Sequence, residues 1–250
     1  MWNNAGLLNA IADALFLAAA AIAVWLGAEA ALRTSLVPLR TVAVVNDLRH
    51  VDAGAVAAGL QGRIAGNFFG VSLGEARRGL EALPWVRRVE LRREWPDRLL
   101  VQIEEHVALA RWNDGRLVNT FGELFDGRSA DPNLPELGGP AGSEREVARR
   151  YAAFRDLLAP LGAEPVRVGL SARRAWQVRL ANGLVLELGR DQTRHPLEER
   201  LARFVAVYPR IVAELGRSPE YVDLRYTSGF AVRAPEAGGE AVPARARDRT

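Results

Sequence analysis

Apolar residues run almost unbroken from Ala5 to Ala28 (AGLLNAIADALFLAAAAIAVWLGA), and after that they alternate with charges. The first run holds one charge, Asp13. A helix crossing a bilayer needs about 20 mostly apolar residues, and this run is long enough. Ala14 to Ala28 alone is short, so the span takes in Asp13 or the residues before it. Near one end, Asp13 reaches the headgroups at modest cost, and Trp2 and Trp25 stand where interfacial anchors fall. Ala28-Glu29-Ala30 also fits a signal-peptidase site. Against cleavage, no Lys or Arg precedes the run. A buried soluble helix is a third alternative. The expected span is residues 9–32, after a short N-terminus of residues 1–8. Arg33 and Arg40 follow it, and by the positive-inside rule alone they would keep the rest of the chain in the cytoplasm.

After a connector, TVAVVNDLRHV reads as an extended apolar stretch. Asp52 is placed to cap a helix over 53–61, with Val56 and Leu60 on its apolar stripe. Ser72 and Glu75 fit a capping box for a second helix to about Leu83, with Phe69 or Val71 as hydrophobic staple, and Pro84 ends it. Two strands follow. Val89 and Leu91 alternate with Arg88, Glu90 and Arg92. Leu99, Val101 and Ile103 alternate with Leu100, Gln102 and Glu104. Trp95-Pro96-Asp97 makes the turn. The order strand, helix, helix, strand, strand predicts a three-stranded sheet covered by two helices.

Strands then dominate. Asn113-Asp114-Gly115 turns one hairpin, and Gly122 turns the chain again. SADPNLPELGGPAG reads as a loop because its Pro and Gly content defeats regular structure. A helix from about Ser143 places Val147, Tyr151, Phe154, Leu157 and Leu158 on one face. Trp176, Val178 and Leu180 face Leu184, Leu186 and Leu188 around Asn182-Gly183. A second amphipathic helix contains Pro209. YVDLRYTSGFAVRA is a final strand pair or one bulged strand. Residues 234–250 are short of large apolar side chains and read as a disordered tail. The fold class is α+β.

Composition narrows the chemistry. The 250 residues are 49% hydrophobic, and all 33 basic residues are Arg, against 30 acidic ones. The two signs are interspersed, which is unlike the concentrated charge of a nucleic-acid surface. Without Cys there is no disulfide, thiolate nucleophile or Cys-ligated zinc. His50, His106 and His195 lack ligand spacing. Glu104 and Glu105 are adjacent on a strand and point to opposite faces. No nucleophile elbow or P-loop is present. No catalytic residue, metal ligand or cofactor site is expected.

The last strand region offers a different kind of site. Strands at a sheet edge leave main-chain groups free. Around Thr227, Ser228 and Gly229 the side chains are small enough for another backbone to approach, with Tyr226 and Phe230 as anchors, which suits strand addition. On the residues alone the plainer reading comes first: Tyr226 and Phe230 belong to the core or an edge, and Gly229 is a bulge.

The order of Leu83-Pro84-Trp85-Val86, Glu94-Trp95-Pro96-Asp97, Leu99, Glu105 and Ala110-Arg111-Trp112 resembles the bacterial cell-division family FtsQ/DivIB. Leu201-Ala202-Arg203-Phe204, Tyr208-Pro209, Tyr221 to Tyr226, Ser228-Gly229 and Ala231-Val232 extend the resemblance to about Val232. It implies a POTRA domain over 41–106, with order β-α-α-β-β, and a mostly antiparallel β domain with packed helices over 107–233. It also implies a single-pass type II protein of the inner membrane, with its C-terminal part periplasmic, at the division septum. This reverses the orientation drawn from two arginines. The family is a non-catalytic scaffold that binds FtsB- and FtsL-type proteins and other divisome membrane proteins, and links them to septal peptidoglycan synthesis. No nucleic acid, small-molecule substrate or cofactor is implied. Carried over by position, Arg225, Tyr226, Ser228, Gly229 and Phe230 form the partner-binding edge. Arg225 is available to a partner carboxylate, and Arg190 is a second charge contact. A different POTRA-containing envelope assembly protein would show repeated POTRA units or a barrel of alternating strands. A periplasmic wall hydrolase would need a carboxylate pair assembled only by the fold.

Overall fold

In the computed structural model the described residues are 5–33, 39–64, 68, 70–226 and 229–233. The tail over 234–250, Trp2, Phe69, Thr227 and Ser228 lie outside them. Helix α1 (Ala5–Arg33) contains the 20-residue stretch Leu8–Gly27, whose mean hydropathy is 2.1 and none of which is buried. At 1.5 Å per residue this stretch matches a hydrocarbon core of about 30 Å. The chain divides into two compact units, residues 1–106 and 107–250.

The first unit contains β1 (Thr41–Val44), α2 (Ala53–Leu60), α3 (Leu73–Glu81), β2 (Val86–Glu94) and β3 (Arg98–Glu105). The sheet order is β1-β3-β2, with β1 parallel to β3 and β2 antiparallel to it. Parallel neighbours need a crossover, which α2 and α3 supply. The Asp52 carboxylate accepts the Ala55 N–H at 2.7 Å and starts α2. The Ser72 hydroxyl accepts the Glu75 N–H at 3.4 Å and starts α3, while the Glu75 carboxylate turns to Arg78 at 4.0 Å. Val71, just ahead of that cap, is buried. Val56, Leu60, Ala76 and Leu80 pack against Val89, Leu99, Val101 and Ile103. The helices cross closely at Gly59 and Gly79: a Cβ on Gly79 would overlap the Gly59 carbonyl. At the hairpin tip the Trp95–Pro96 bond is cis.

Side chains close the other end of this sheet. Asn46 donates to the Ile103 carbonyl at 2.9 Å and accepts the Ile103 N–H at 3.0 Å, which prolongs the β1–β3 ladder. Glu105 and Glu104 point apart. Glu104 meets Arg87 at 2.7 Å. Glu105 accepts the N–H groups of Arg49, His50 and Val51 at 2.9, 2.9 and 2.8 Å, and His50 stacks on Trp85 with ring centroids 3.7 Å apart.

The second unit contains β4 (Ala108–Trp112), β5 (Leu117–Asn119), β6 (Leu124–Phe125), β7 (Glu136–Gly138), α4 (Glu144–Leu158), β8 (Pro165–Leu170), β9 (Ala175–Leu180), β10 (Val185–Arg190), α5 (Leu197–Leu215), β11 (Tyr221–Asp223) and β12 (Ala231–Arg233). They form one nine-stranded sheet, ordered β12-β11-β10-β9-β8-β7-β4-β5-β6. Most neighbours are antiparallel, but β10/β11, β4/β7 and β7/β8 are parallel. The stretch read as a loop therefore contains a strand. Three residues of it are held between β4 and β8, and pairing on both sides overrides the local Pro and Gly content. Strand β8, absent from the sequence reading, pairs with β7 and with β9. Val147, Tyr151, Phe154 and Leu158 of α4 and Leu197, Leu201, Phe204 and Tyr208 of α5 are buried in the sheet's core, with Phe154 edge-on to Trp176 at 5.8 Å.

Burial pushes the Glu105 carboxyl up, but its three N–H donors and the His50 charge outweigh this, so its pKa lies below the usual glutamate value. A carboxyl with a depressed folded pKa adds stability above its unfolded pKa of about 4.3, and the contribution disappears as pH falls through the folded value. Glu105→Gln is expected to destabilise the first unit by about 1–3 kcal/mol at neutral pH, because one amide oxygen replaces two carboxylate oxygens as acceptors. Urea unfolding of both proteins at neutral and acid pH checks this. The difference should shrink in acid.

Candidate partner-binding edge

The end of the sheet at β12 is assembled from short pieces. Strand β11 lies parallel to β10, and the chain returns as β12, pairing Tyr221 with Arg233, Val222 with Val232 and Asp223 with Ala231. All three residues of β12 are exposed, and among the described residues β12 is paired on one side only. Its other side offers main-chain donors and acceptors.

Three contacts hold this edge from within. Leu224, just after β11, is buried in the core. Phe230, just before β12, is half-buried, its ring edge-on to Phe204 of α5 at 5.8 Å. Between them stands Arg200 of α5, 4% exposed. Its Nη1 donates to the carbonyls of Leu188 (2.7 Å) and Leu224 (3.0 Å), and its Nη2 donates to that of Arg190 (2.7 Å). It thus ties the ends of β10 and β11 to the helix. Its Nε is buried without a partner. Burial lowers its pKa, and the nearby Asp191 charge opposes this. Asp191 accepts the Leu197 N–H at 3.3 Å at the start of α5, and Arg150 of α4 binds both Asp191 and Glu198.

The predicted site residues fall around this frame. Arg190 ends β10 with its side chain exposed and its carbonyl held by Arg200. Tyr226 is 58% exposed, and Gly229 is exposed with open space where a Cβ would be. Arg225, Tyr226, Gly229 and Phe230 precede the edge strand. They form the connection from β11, and the edge itself is Ala231–Arg233. Phe230 packs its half-buried ring over Phe204, as the plainer reading of the residues expects. One expectation needs correcting. Arg225 is not a free guanidinium: its Nε and Nη2 grip the buried Asp223 carboxylate at 2.9 and 2.6 Å. Its stem lies over the bulge in β10 at Gly189 (φ 69°), where an added Cβ would stand 2.7 Å from Cγ of Arg225. Glycine suits both the positive φ and the close approach. The Arg225 side chain holds Asp223 below the usual aspartate pKa, and Asp223 in turn raises that of Arg225. On β12, Arg233 lies over the Tyr221 ring at 5.4 Å.

The sequence reading missed Arg200, Asp223 and Gly189. A signal existed for Arg200, which falls on the apolar stripe of α5 with Leu197, Leu201, Phe204 and Tyr208. Elsewhere in the unit, a groove of about 980 Å³ is lined in part by Arg111, Glu136, Gly138, Arg167 and Gln177. In it Arg167 pairs with Glu136, Gln177 donates to Glu187 at 3.0 Å, and Arg111 donates to the Leu134 carbonyl at 3.3 Å.

Replacing Arg200 by Ala leaves three carbonyls without their donor. We expect it to destabilise the second unit by about 3 kcal/mol or more, at 1–3 kcal/mol per buried unsatisfied group, as read by urea unfolding. Asp223 has a depressed folded pKa. Its contribution is therefore present above an unfolded pKa of about 3.9 and is lost as pH falls through the folded value. Thermal unfolding of Asp223→Asn and wild type should differ at neutral pH and converge in acid.

Comparison with known proteins accounts for both units. The FtsQ-type POTRA domain model matches residues 37–106, and the model of the C-terminal part of cell division protein FtsQ/DivIB matches residues 110–225. The chain is 41% identical over 236 residues to cell division protein FtsQ of Burkholderia pseudomallei, covering 94% of each protein. It is 43% identical over 238 residues to that of Nitrosospira multiformis, covering 93% of this chain and 99% of the relative. To that of Escherichia coli it is 40% identical over 158 residues, 61% of this chain and 56% of the relative. With a helix fit to span a membrane, a POTRA domain and the β domain in this order, the chain belongs to the FtsQ/DivIB family of cell-division proteins.

Proposed function

We propose that this chain is a non-catalytic scaffold of the divisome, whose β domain takes up a strand of an FtsB-type partner at β12. FtsB- and FtsL-type proteins and other divisome membrane proteins are its partners, and through them it helps link the division site to septal peptidoglycan synthesis. It is a single-pass type II protein of the inner membrane. Residues 1–8 are cytoplasmic, 9–32 span the membrane, and the POTRA domain (41–106) and β domain (107–233) are periplasmic. The observation that carries this reading is the state of β12: three exposed residues that, among the described residues, are paired on one side only, at the end of a sheet anchored from below. A strand laid along it makes main-chain bonds without disturbing the core. Tyr226 and Gly229 flank the approach, with Ser228 between them in sequence. Arg190 and the Nη1 side of Arg225, which takes no part in the Asp223 bonds, supply positive charge for an acidic partner segment.

Binding of the full-length chain, in lipid nanodiscs, to the periplasmic segment of its FtsB-type partner tests this. Val232→Pro removes a backbone donor from the edge, and Tyr226→Ala trims its flank. Each is expected to weaken binding by about tenfold or more, the scale of one or two main-chain hydrogen bonds. Circular dichroism verifies that the variants stay folded. Folded variants that bind like wild type would place docking elsewhere on the molecule.

A further inference from the structure

The tip of the β2–β3 hairpin carries an apolar side chain that the partner-binding reading does not use. Trp95 is 78% exposed, against 74% for Phe16 on the outward face of α1. A tryptophan held this far into solvent at the end of a hairpin contributes nothing to its own core. Its surroundings are basic. Arg92 and Arg98 are exposed beside it, and Arg93 is turned in to the Val71 carbonyl at 2.6 Å. Glu94, 3.9 Å from Arg98, and Asp97 offset part of this charge.

The tip is also where the chain enters the unit. The N–H groups of Arg40 and Thr41 donate to the Asp97 carbonyl at 3.0 and 3.3 Å, and β1 runs away from the tip, from Thr41 opposite Arg98 to Val44 opposite Val101. Seven residues separate Arg33, the end of α1, from Thr41. Even fully extended, that connection reaches less than about 30 Å. The open end of the hairpin, at Glu105, lies roughly 25 Å further along the strands. The tip is therefore the part of this unit tied most closely to the bilayer that α1 crosses.

We propose that the β2–β3 tip is a second membrane contact: Trp95 inserts at the headgroup level of the leaflet from which α1 emerges, and Arg40, Arg92 and Arg98 rest on its anionic lipids. Tryptophan prefers that interface because one end of its ring is apolar and the other polar. Basic side chains next to a bilayer are drawn to anionic headgroups. The contact holds the POTRA unit by its tip and leaves the Glu105 end facing away from the lipid. The proposal rests on α1 spanning the membrane and is independent of the partner docked at β12.

The test uses the full-length chain in vesicles of phosphatidylethanolamine and phosphatidylglycerol, with no other protein present. The chain has no cysteine, so Glu94→Cys and Gln102→Cys each accept one environment-sensitive fluorophore, at the tip and midway along β3. Lipids with a nitroxide at the top of the acyl chain report proximity. The expected result is strong quenching and a blue shift for the label at 94, little change for the label at 102, and loss of the quenching at 94 when Trp95→Ala is added. Trp95 is outside the core, so this variant should unfold at the wild-type temperature. Equal quenching of the two labels, an unquenched label at 94, or quenching unaffected by Trp95→Ala would overturn the proposal. Carbonate extraction of the same vesicles reads the α1 span separately, and release of the chain would also overturn it.

Discussion

A guanidinium buried against three carbonyl oxygens is the contact on which the far edge of the β domain depends. Strands β11 and β12 have three residues each, too few for their ladder bonds alone to fix them. Because β11 is parallel to β10, the chain must cross the sheet between them, and α5 is that crossover. Arg200 joins the crossover to both strand ends, through Leu188, Arg190 and Leu224. Among the described residues no carboxylate pairs with it; three backbone carbonyls hold the guanidinium, and the nearby Asp191 charge favours it. Such groups are worth most in a low-dielectric interior and are costly to leave unmet.

This arrangement separates two requirements that usually conflict. An edge that offers its backbone to a partner has to be rigid enough to template a strand, yet a long, flat, apolar edge invites unwanted pairing. Here rigidity comes from beneath, through Leu224, Phe230 and Arg200, while the exposed strand stays three residues long and carries Arg233. The Asp223–Arg225 pair and the glycine at position 189 shape the corner beside it. The exposed strand itself contributes none of its three side chains to the core.

The POTRA domain shows the same economy at its two ends. One end is closed by side chains that imitate backbone: Asn46 extends a ladder, and Glu105 gathers three N–H groups of the turn before α2. The other end is joined to the chain arriving from α1 through the Asp97 carbonyl, and there Trp95 is left in solvent. Between them the packing of two short helices on three strands supplies a small core, tight enough that glycine is needed at position 79, where the helices cross.

Sequence alone determined everything that follows from periodicity and local chemistry. The apolar run of α1, the caps at Asp52 and Ser72, the alternation of β2, β3, β9 and β10, and the apolar faces of α4 and α5 were all legible, because each is written in residues close together along the chain. The family resemblance rested on the same stretches. Strand β7 was not legible: its Pro- and Gly-rich residues become a strand only because β4 and β8 lie on either side. Nor were the parallel pairings of β7 and β11. Arg225 looked free because its partner, Asp223, sits two residues away in a strand whose buried face the sequence does not declare. Arg200 stands on the apolar stripe of α5, a position that signals burial but names no partner. Its role appeared only when the fold brought three carbonyls, from strand ends 10 to 24 residues distant, to one buried point. Patterns along a chain reveal which faces are apolar. Only the tertiary structure decides which polar groups those faces enclose, because burial and long-range hydrogen bonding are properties of neighbours that the sequence does not place side by side.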